Sequence, residues 1–171
     1  MIIWGIVLAS ALSFSDTPAE AIESTWAAVQ DGSPNAFLQS LEPATADSIL
    51  EECREYLGVM RGMGTDELGE LFASIRLEAA PGELEHWNEN AVLEMAMSSP
   101  SQHRMLDSST MNIDSIAAGE SSATARVTLN LQGHGTTGLE LSLSSTPLGW
   151  RVGGIAHLTE AVLNSIIESA Q

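Results

Sequence analysis

The sequence contains no lysine, and its six basic residues are all arginines set against 23 acidic residues, for a formal net charge of −17. A charge of this sign excludes the usual basic nucleic-acid interface and electrostatic attachment to anionic lipid. Without lysine the chain also lacks the residue needed for Schiff bases, the P-loop phosphate contact and the Ser-Lys dyad. The acidity predicts a well-solvated surface, and it also suits a saline habitat or a cationic partner.

Cysteine is equally scarce, because Cys53 is the only one in the chain. A single cysteine excludes an intrachain disulfide and a zinc site of the CxxC type. Ile49 and Leu57 lie four residues to either side of Cys53, which is the spacing of one helical face. We therefore predict a buried structural thiol and not a nucleophile.

The uncharged run Ile2–Phe14 is shorter than the ~20 residues that a membrane-spanning helix needs. Its length fits the apolar region of a signal peptide, and small residues at positions 9, 11, 13 and 15 offer cleavage sites. We therefore expect a signal peptide in residues 1–15, a periplasmic or extracellular location of the bacterial type, and no stable membrane insertion after cleavage. The alternatives are a buried first element and a retained anchor.

Length and composition predict a single domain over residues 16–171. The chain has 171 residues, of which 44% are hydrophobic and 17% charged. This length matches one domain, and the apolar fraction is sufficient for a substantial core.

The first half of this domain has helical patterning. Thr17 and Pro18 form a helix start, and an apolar face follows at helical spacing. Further helices are expected over Ala46–Met60, from Thr65 onward, and over Glu83–Met97. An extended conformation is the alternative for the second half of the last segment, Ala91–Met97.

The second half has strand patterning. Apolar and polar residues alternate over Ala123–Leu131 and Leu139–Leu143. A first strand is expected around Asp114, and a last strand begins at Trp150, with its alternation broken by a bulge at Gly153–Gly154. A short helix is expected over Thr159–Ala170. The predicted class is α+β, with N-terminal helices packed on a curved antiparallel sheet of about four strands.

Three stretches carry a resemblance to a known family: residues 17–37, with a helix running into Asp31-Gly32; residues 118–127; and residues 139–152, which end in Gly-Trp-Arg-Val. Together they resemble the NTF2-like (cystatin-like cone) superfamily, in its exported and uncharacterised branch. The resemblance implies a sheet curled around the helices and a conical apolar pocket. Family members use that pocket for catalysis, for ligand binding or for neither, so the fold does not transmit a function.

Cofactor chemistry is not expected. Gly133–Gly138 matches the GxGxxG pattern, but a dinucleotide site needs a helix after the glycines, and here the strand Leu139–Leu143 follows. The glycine-rich segment is interpreted as a hairpin connection.

The sequence predicts no metal ligand and no catalytic residue, and it favours a protein that is not an enzyme. The nearest metal candidates are His86 and Glu89, with i, i+3 spacing, but such spacing is usual on a solvated face. The nearest acid–base candidates are His157 and Asp114, although no sequence feature brings them together.

Two further sets of residues are open to two interpretations. Arg126, Glu140 and Arg151 fall on polar faces of neighbouring strands. They form either cross-strand ion pairs or a site for an anion or a partner. The second set either lines the cone pocket or fills the core, and it comprises Trp26, Trp150, Phe37, Leu129 and Leu141.

The leading functional hypothesis is an exported, non-catalytic domain that binds an apolar small molecule or a protein partner. One alternative is an isomerase- or hydrolase-type enzyme with an acid–base site in the cone pocket. The other is a structural module that dimerises through the open sheet face.

Overall fold

The computed structural model describes residues 15–98, 106, 108–131 and 135–155. Within them, helices occupy the N-terminal half and an open four-stranded antiparallel sheet follows. This arrangement confirms the predicted α+β class. The apolar segment Ile2–Phe14 and the expected helix Thr159–Ala170 lie outside the described residues.

In the described part of the chain, the named helices precede the strands. The helices are α1 (Pro18–Gln30), α2 (Pro34–Ser40), α3 (Pro43–Gly62), α4 (Thr65–Ser74), a 3₁₀ helix (Pro81–His86) and α5 (Glu89–Ser98). The strands are β1 (Thr110–Ala118), β2 (Ser122–Leu131), β3 (Gly135–Thr146) and β4 (Gly149–Gly153).

The start of α1 is fixed by the local sequence. The Thr17 hydroxyl accepts a hydrogen bond from the Glu20 backbone N–H at 3.2 Å. The Glu20 carboxylate in turn accepts from the Thr17 N–H at 3.1 Å. This capping box satisfies two helix-terminal donors, and Pro18 supplies a preset φ at the first helical position. The predicted helix start is confirmed.

The prediction of one helix over Glu83–Met97 is wrong, because a non-helical segment between His86 and Glu89 separates the 3₁₀ helix from α5. Trp87 has an extended backbone (φ −75°, ψ 150°), and its ring stacks on Phe72 at a centroid distance of 5.7 Å. The Asn88 side chain then accepts from the Ala91 N–H at 3.0 Å. A tertiary aromatic contact and a new N-cap therefore divide the segment into two helices.

The sheet is a meander in the order β1-β2-β3-β4, with every neighbouring pair antiparallel. Its inner face carries the alternating apolar residues that pack under the helices, among them Val127, Leu143 and Val152, each at most 2% exposed. Helix α1 contacts both outer strands. The outer face is polar and is rich in serine and threonine.

The expected bulge at Gly153–Gly154 is not found, and the register shift lies in β1, between Ile113 and Ser115. Gly153 has a different role, since a Cβ there would overlap with the Glu42 carboxylate. The Glu42 N–H donates to the Val152 carbonyl at 2.8 Å, which holds the start of α3 against β4. A side chain at position 153 would therefore have to displace the Glu42 carboxylate.

Candidate functional site

A groove of about 260 Å³ opens on the outer face of the sheet. Gly138 lies directly opposite Thr128 of β2, and the missing side chain at Gly138 leaves the opening. The groove is lined by Asp114, Arg126, Val127, Gly138, Leu139 and Glu140. The site is therefore a product of strand register, since β1, β2 and β3 each contribute to it.

Asp114 occupies the position at which the β1–β2 register shifts. A bulge re-aims the side chain that it carries. The Asp114 carboxylate consequently reaches the neighbouring strand, where it accepts a hydrogen bond from the Thr128 hydroxyl at 2.7 Å. This contact fixes an acidic group at one side of the groove.

Arg126 and Glu140 face each other across β2 and β3, with Arg126 Nε 3.6 Å from the Glu140 carboxylate. Their side chains are 74% and 65% exposed. An exposed pair of this kind contributes at most about 1 kcal/mol, so both groups stay free to exchange partners. The predicted cross-strand pairing is confirmed for these two residues. Arg151 is buried instead, and its guanidinium donates to the Trp150 carbonyl at 3.3 Å.

The five predicted pocket residues lie elsewhere. Phe37 and Leu141 are buried in the core, and Trp150 packs against it half-buried. Trp26 and Leu129 are half-buried. None of the five lines the groove. Phe37, Leu141 and Trp150 therefore pack as core residues, which is the second of the two interpretations.

The two nearest metal candidates, His86 and Glu89, are separated by the interruption between the 3₁₀ helix and α5. His86 ends the 3₁₀ helix exposed, whereas Glu89 begins α5 and lies 3.5 Å from the Arg54 guanidinium. Hydrogen bonding by its own backbone N–H, aided by Arg54, lowers the pKa of Glu89. Among the residues that the structure describes, no three His, Cys, Asp or Glu side chains form a group able to hold a metal ion.

The remaining sequence candidates divide between the described and undescribed parts of the chain. His157 lies outside the described residues, so the proposed pair with Asp114 is not tested. Gly135 and Gly138 of the GxGxxG stretch belong to β3, whereas Gly133 and His134 lie outside the described residues. A strand and not a helix thus occupies this part of the motif, as predicted, but Gly135 and Gly138 lie within that strand and not in the hairpin connection.

Cys53 lies in α3 and is fully buried, as the sequence predicted. Burial, with smaller contributions from Glu52 and Glu89, raises the pKa of the thiol to about 12. Burial also raises the pKa of Tyr56, one turn later on α3, to about 12. A thiol that stays protonated at neutral pH is a poor nucleophile, so Cys53 is a packing residue.

These raised pKa values predict a loss of stability in alkali. Above the ordinary thiol pKa of 9.0, the unfolded chain releases protons that the folded chain retains, so the free energy of unfolding falls until about pH 12. With no lysine and one tyrosine in the chain, Cys53 and Tyr56 dominate this range. Urea unfolding at pH 7.5 and pH 10.5 measures the fall. Cys53→Ala is expected to show a smaller fall, and an identical fall would contradict the assignment to the thiol.

Comparisons with family models, curated proteins and solved structures give no match. No helix in the described part of the chain is long and apolar enough to cross a membrane.

Proposed function

We propose that this chain is an exported, non-catalytic, NTF2-like domain that binds a protein partner through the outer face of its sheet. The observation that carries the proposal is the groove, where the acidic Asp114 and Glu140 lie with the basic Arg126 on an exposed polar surface. Hydrogen-bonding groups of both signs on a solvent-facing sheet suit recognition of another protein surface.

The packing of the inner face favours a protein partner over an apolar small molecule. Ligand sites for small molecules are concave and mostly apolar. The inner-face apolar side chains of the described sheet instead pack against the helices, and Ala125 and Val127 are at most 1% exposed. The groove on the opposite face is open and carries the charged side chains of Asp114, Arg126 and Glu140, which suit a protein surface better than an apolar ligand.

The NTF2-like and exported parts of the proposal have separate support. The NTF2-like part rests on the resemblance carried by residues 17–37, 118–127 and 139–152, and the α+β order of helices followed by an antiparallel meander supports it. Export rests on the uncharged run Ile2–Phe14 and the small residues at positions 9, 11, 13 and 15. Cleavage after Ala11 is the site that keeps Ser15, whose carbonyl accepts from the Trp150 N–H, in the mature chain.

Site-specific photo-crosslinking tests partner binding. A photoreactive residue is placed at Thr124 or Glu140 on the outer face, and the protein is irradiated in the cells that produce it. We expect a cross-linked adduct of discrete mass at both positions, because a partner that covers the groove lies within reach of both.

The matched control is the same residue at Val59 of α3, whose side chain is 51% exposed and lies on the helical layer. The proposal fails if the outer-face positions give no adduct or if Val59 gives the same adduct with equal yield. A native mass spectrum that shows a co-purified apolar small molecule would also count against it.

A further inference from the structure

The two outermost strands of the sheet differ in how the rest of the chain covers them. Along β4, the Trp150 N–H donates to the Ser15 carbonyl at 2.9 Å, and the Val152 carbonyl accepts from Glu42 at 2.8 Å. Isolated parallel bridges at Gly149 and Val152 accompany these bonds. The outer edge of β4, which does not pair with β3, is therefore covered at two points by other segments of the chain.

The outer edge of β1 has no such cover in residues 15–98, 108–131 and 135–155. There, β1 pairs with β2 alone, and no backbone hydrogen bond joins its other edge to a second segment. The strand is nine residues long and contains neither proline nor lysine, which commonly block an exposed edge. Its one charged residue, Asp114, lies at the register shift, and the stretches 110–113 and 115–118 on either side pair regularly with β2.

The inner face of β1 offers apolar surface beside that edge. The register shift places Met111, Ile113 and Ile116 on the same, inner face of the sheet. All three are half-buried and pack against the core. A strand added beside β1 would complete the burial of these side chains and pair with the backbone groups to which no described segment bonds.

We propose that the β1 edge receives an extended, cationic segment of the protein partner as a fifth strand of the sheet. This inference rests on the proposed function and specifies how the partner is recognised. Main-chain hydrogen bonds to β1 hold the segment, its apolar side chains pack beside Met111 and Ile113, and its basic side chains face the same way as Asp114.

Charge selects a cationic partner over a second copy of this chain. Residues 16–98, which form the helical layer, hold seventeen of the 23 acidic residues and three of the six arginines. Residues 108–155 hold three acidic residues and two arginines. A second copy brings the same excess of negative charge, whereas a basic segment is attracted by it and by the two carboxylates of the groove.

Amide hydrogen exchange with a defined peptide tests the proposal. The probe is a peptide of alternating arginine and valine, matched in length to β1, and glutamate replaces arginine in the comparison peptide. At saturating arginine peptide we expect exchange over residues 110–118 to slow by about tenfold, because a paired edge amide opens only when the added strand leaves. Residues 149–153 and the glutamate peptide are expected to show no change.

Two charge substitutions of equal size separate the edge from the general field of the protein. Asn112→Lys adds a positive charge at an exposed position of β1, and we expect it to weaken peptide binding by about tenfold. Thr124→Lys adds the same charge on the same face of β2, one strand away from the edge, and a loss of less than about twofold is expected. Equal losses would overturn the proposal, because they would indicate electrostatic attraction without strand pairing.

Other outcomes overturn the inference in distinguishable ways. Protection of residues 110–118 that rises with protein concentration in the absence of peptide would assign the edge to a second copy. Discrete adducts at Thr124 and Glu140 together with no β1 protection by the peptide would leave the proposed function standing and remove the strand addition. No adduct at either position would remove the proposed function itself.

Discussion

Replacing Leu143 with alanine is expected to lower the free energy of unfolding by about 3 kcal/mol. Leu143 lies in β3 between Ala123 of β2 and Val152 of β4, and its side chain is 2% exposed. Truncation removes apolar contacts on both sides and leaves a cavity that the paired strands cannot close by moving together. Urea unfolding at neutral pH measures the loss.

Leu148→Ala is the matched control, because it removes the same atoms from a side chain that is 50% exposed in the turn between β3 and β4. A change within about 0.5 kcal/mol is expected there. If Leu143→Ala cost no more than Leu148→Ala, the inner face of the sheet would not be the packed face of the domain.

Features that depend on local chemistry were the ones predictable from the sequence. The capping box of α1 needs only Thr17, Pro18 and Glu20, which are neighbours in the chain. Period-two alternation predicts β2 and β3 and puts Arg126 and Glu140 on their polar faces, and the observed register sets the two residues opposite each other. Each of these inferences uses information within one element or one hairpin.

Features that depend on distant contacts were not predictable in the same way. The break before α5 reflects the stacking of Trp87 on Phe72, a contact to another helix that periodicity does not show. The alternation of β1 changes phase between Ile113 and Ser115, so the apolar pattern of that strand is hidden in the sequence.

The candidate site combines local and distant features, so the sequence predicted only part of it. Arg126 and Glu140 were identified from their strand patterns, whereas the groove itself depends on Gly138 and Asp114. Gly138 opens the groove because it lies opposite Thr128 of β2 and has no side chain. Asp114 lines the groove because the register of β1 shifts at this residue. A glycine inside an otherwise alternating strand was the available signal, since such a glycine often marks a close approach or an opening.

Gly149→Ala is expected to destabilise the protein by about 3 kcal/mol, because two costs combine at this position. Gly149 has φ +90°, which L-residues rarely adopt, and an added Cβ would lie 2.7 Å from the Ser15 carbonyl oxygen. The clash is with backbone, so it displaces Ser15 and breaks the Trp150 N–H hydrogen bond that secures this edge of β4.

Gly135→Ala separates the two costs. Gly135 has nearly the same φ, +86°, but a Cβ there would meet no atom of the described residues within 4 Å. Conformational strain alone is therefore expected at Gly135, at about 1 kcal/mol. The difference between the two variants in urea unfolding measures the contact between residue 15 and β4. Equal losses would show that Ser15 does not cover this edge in solution. The contrast between an occupied β4 edge and a β1 edge that no segment of the described residues covers, on which the strand-addition proposal depends, would then be lost.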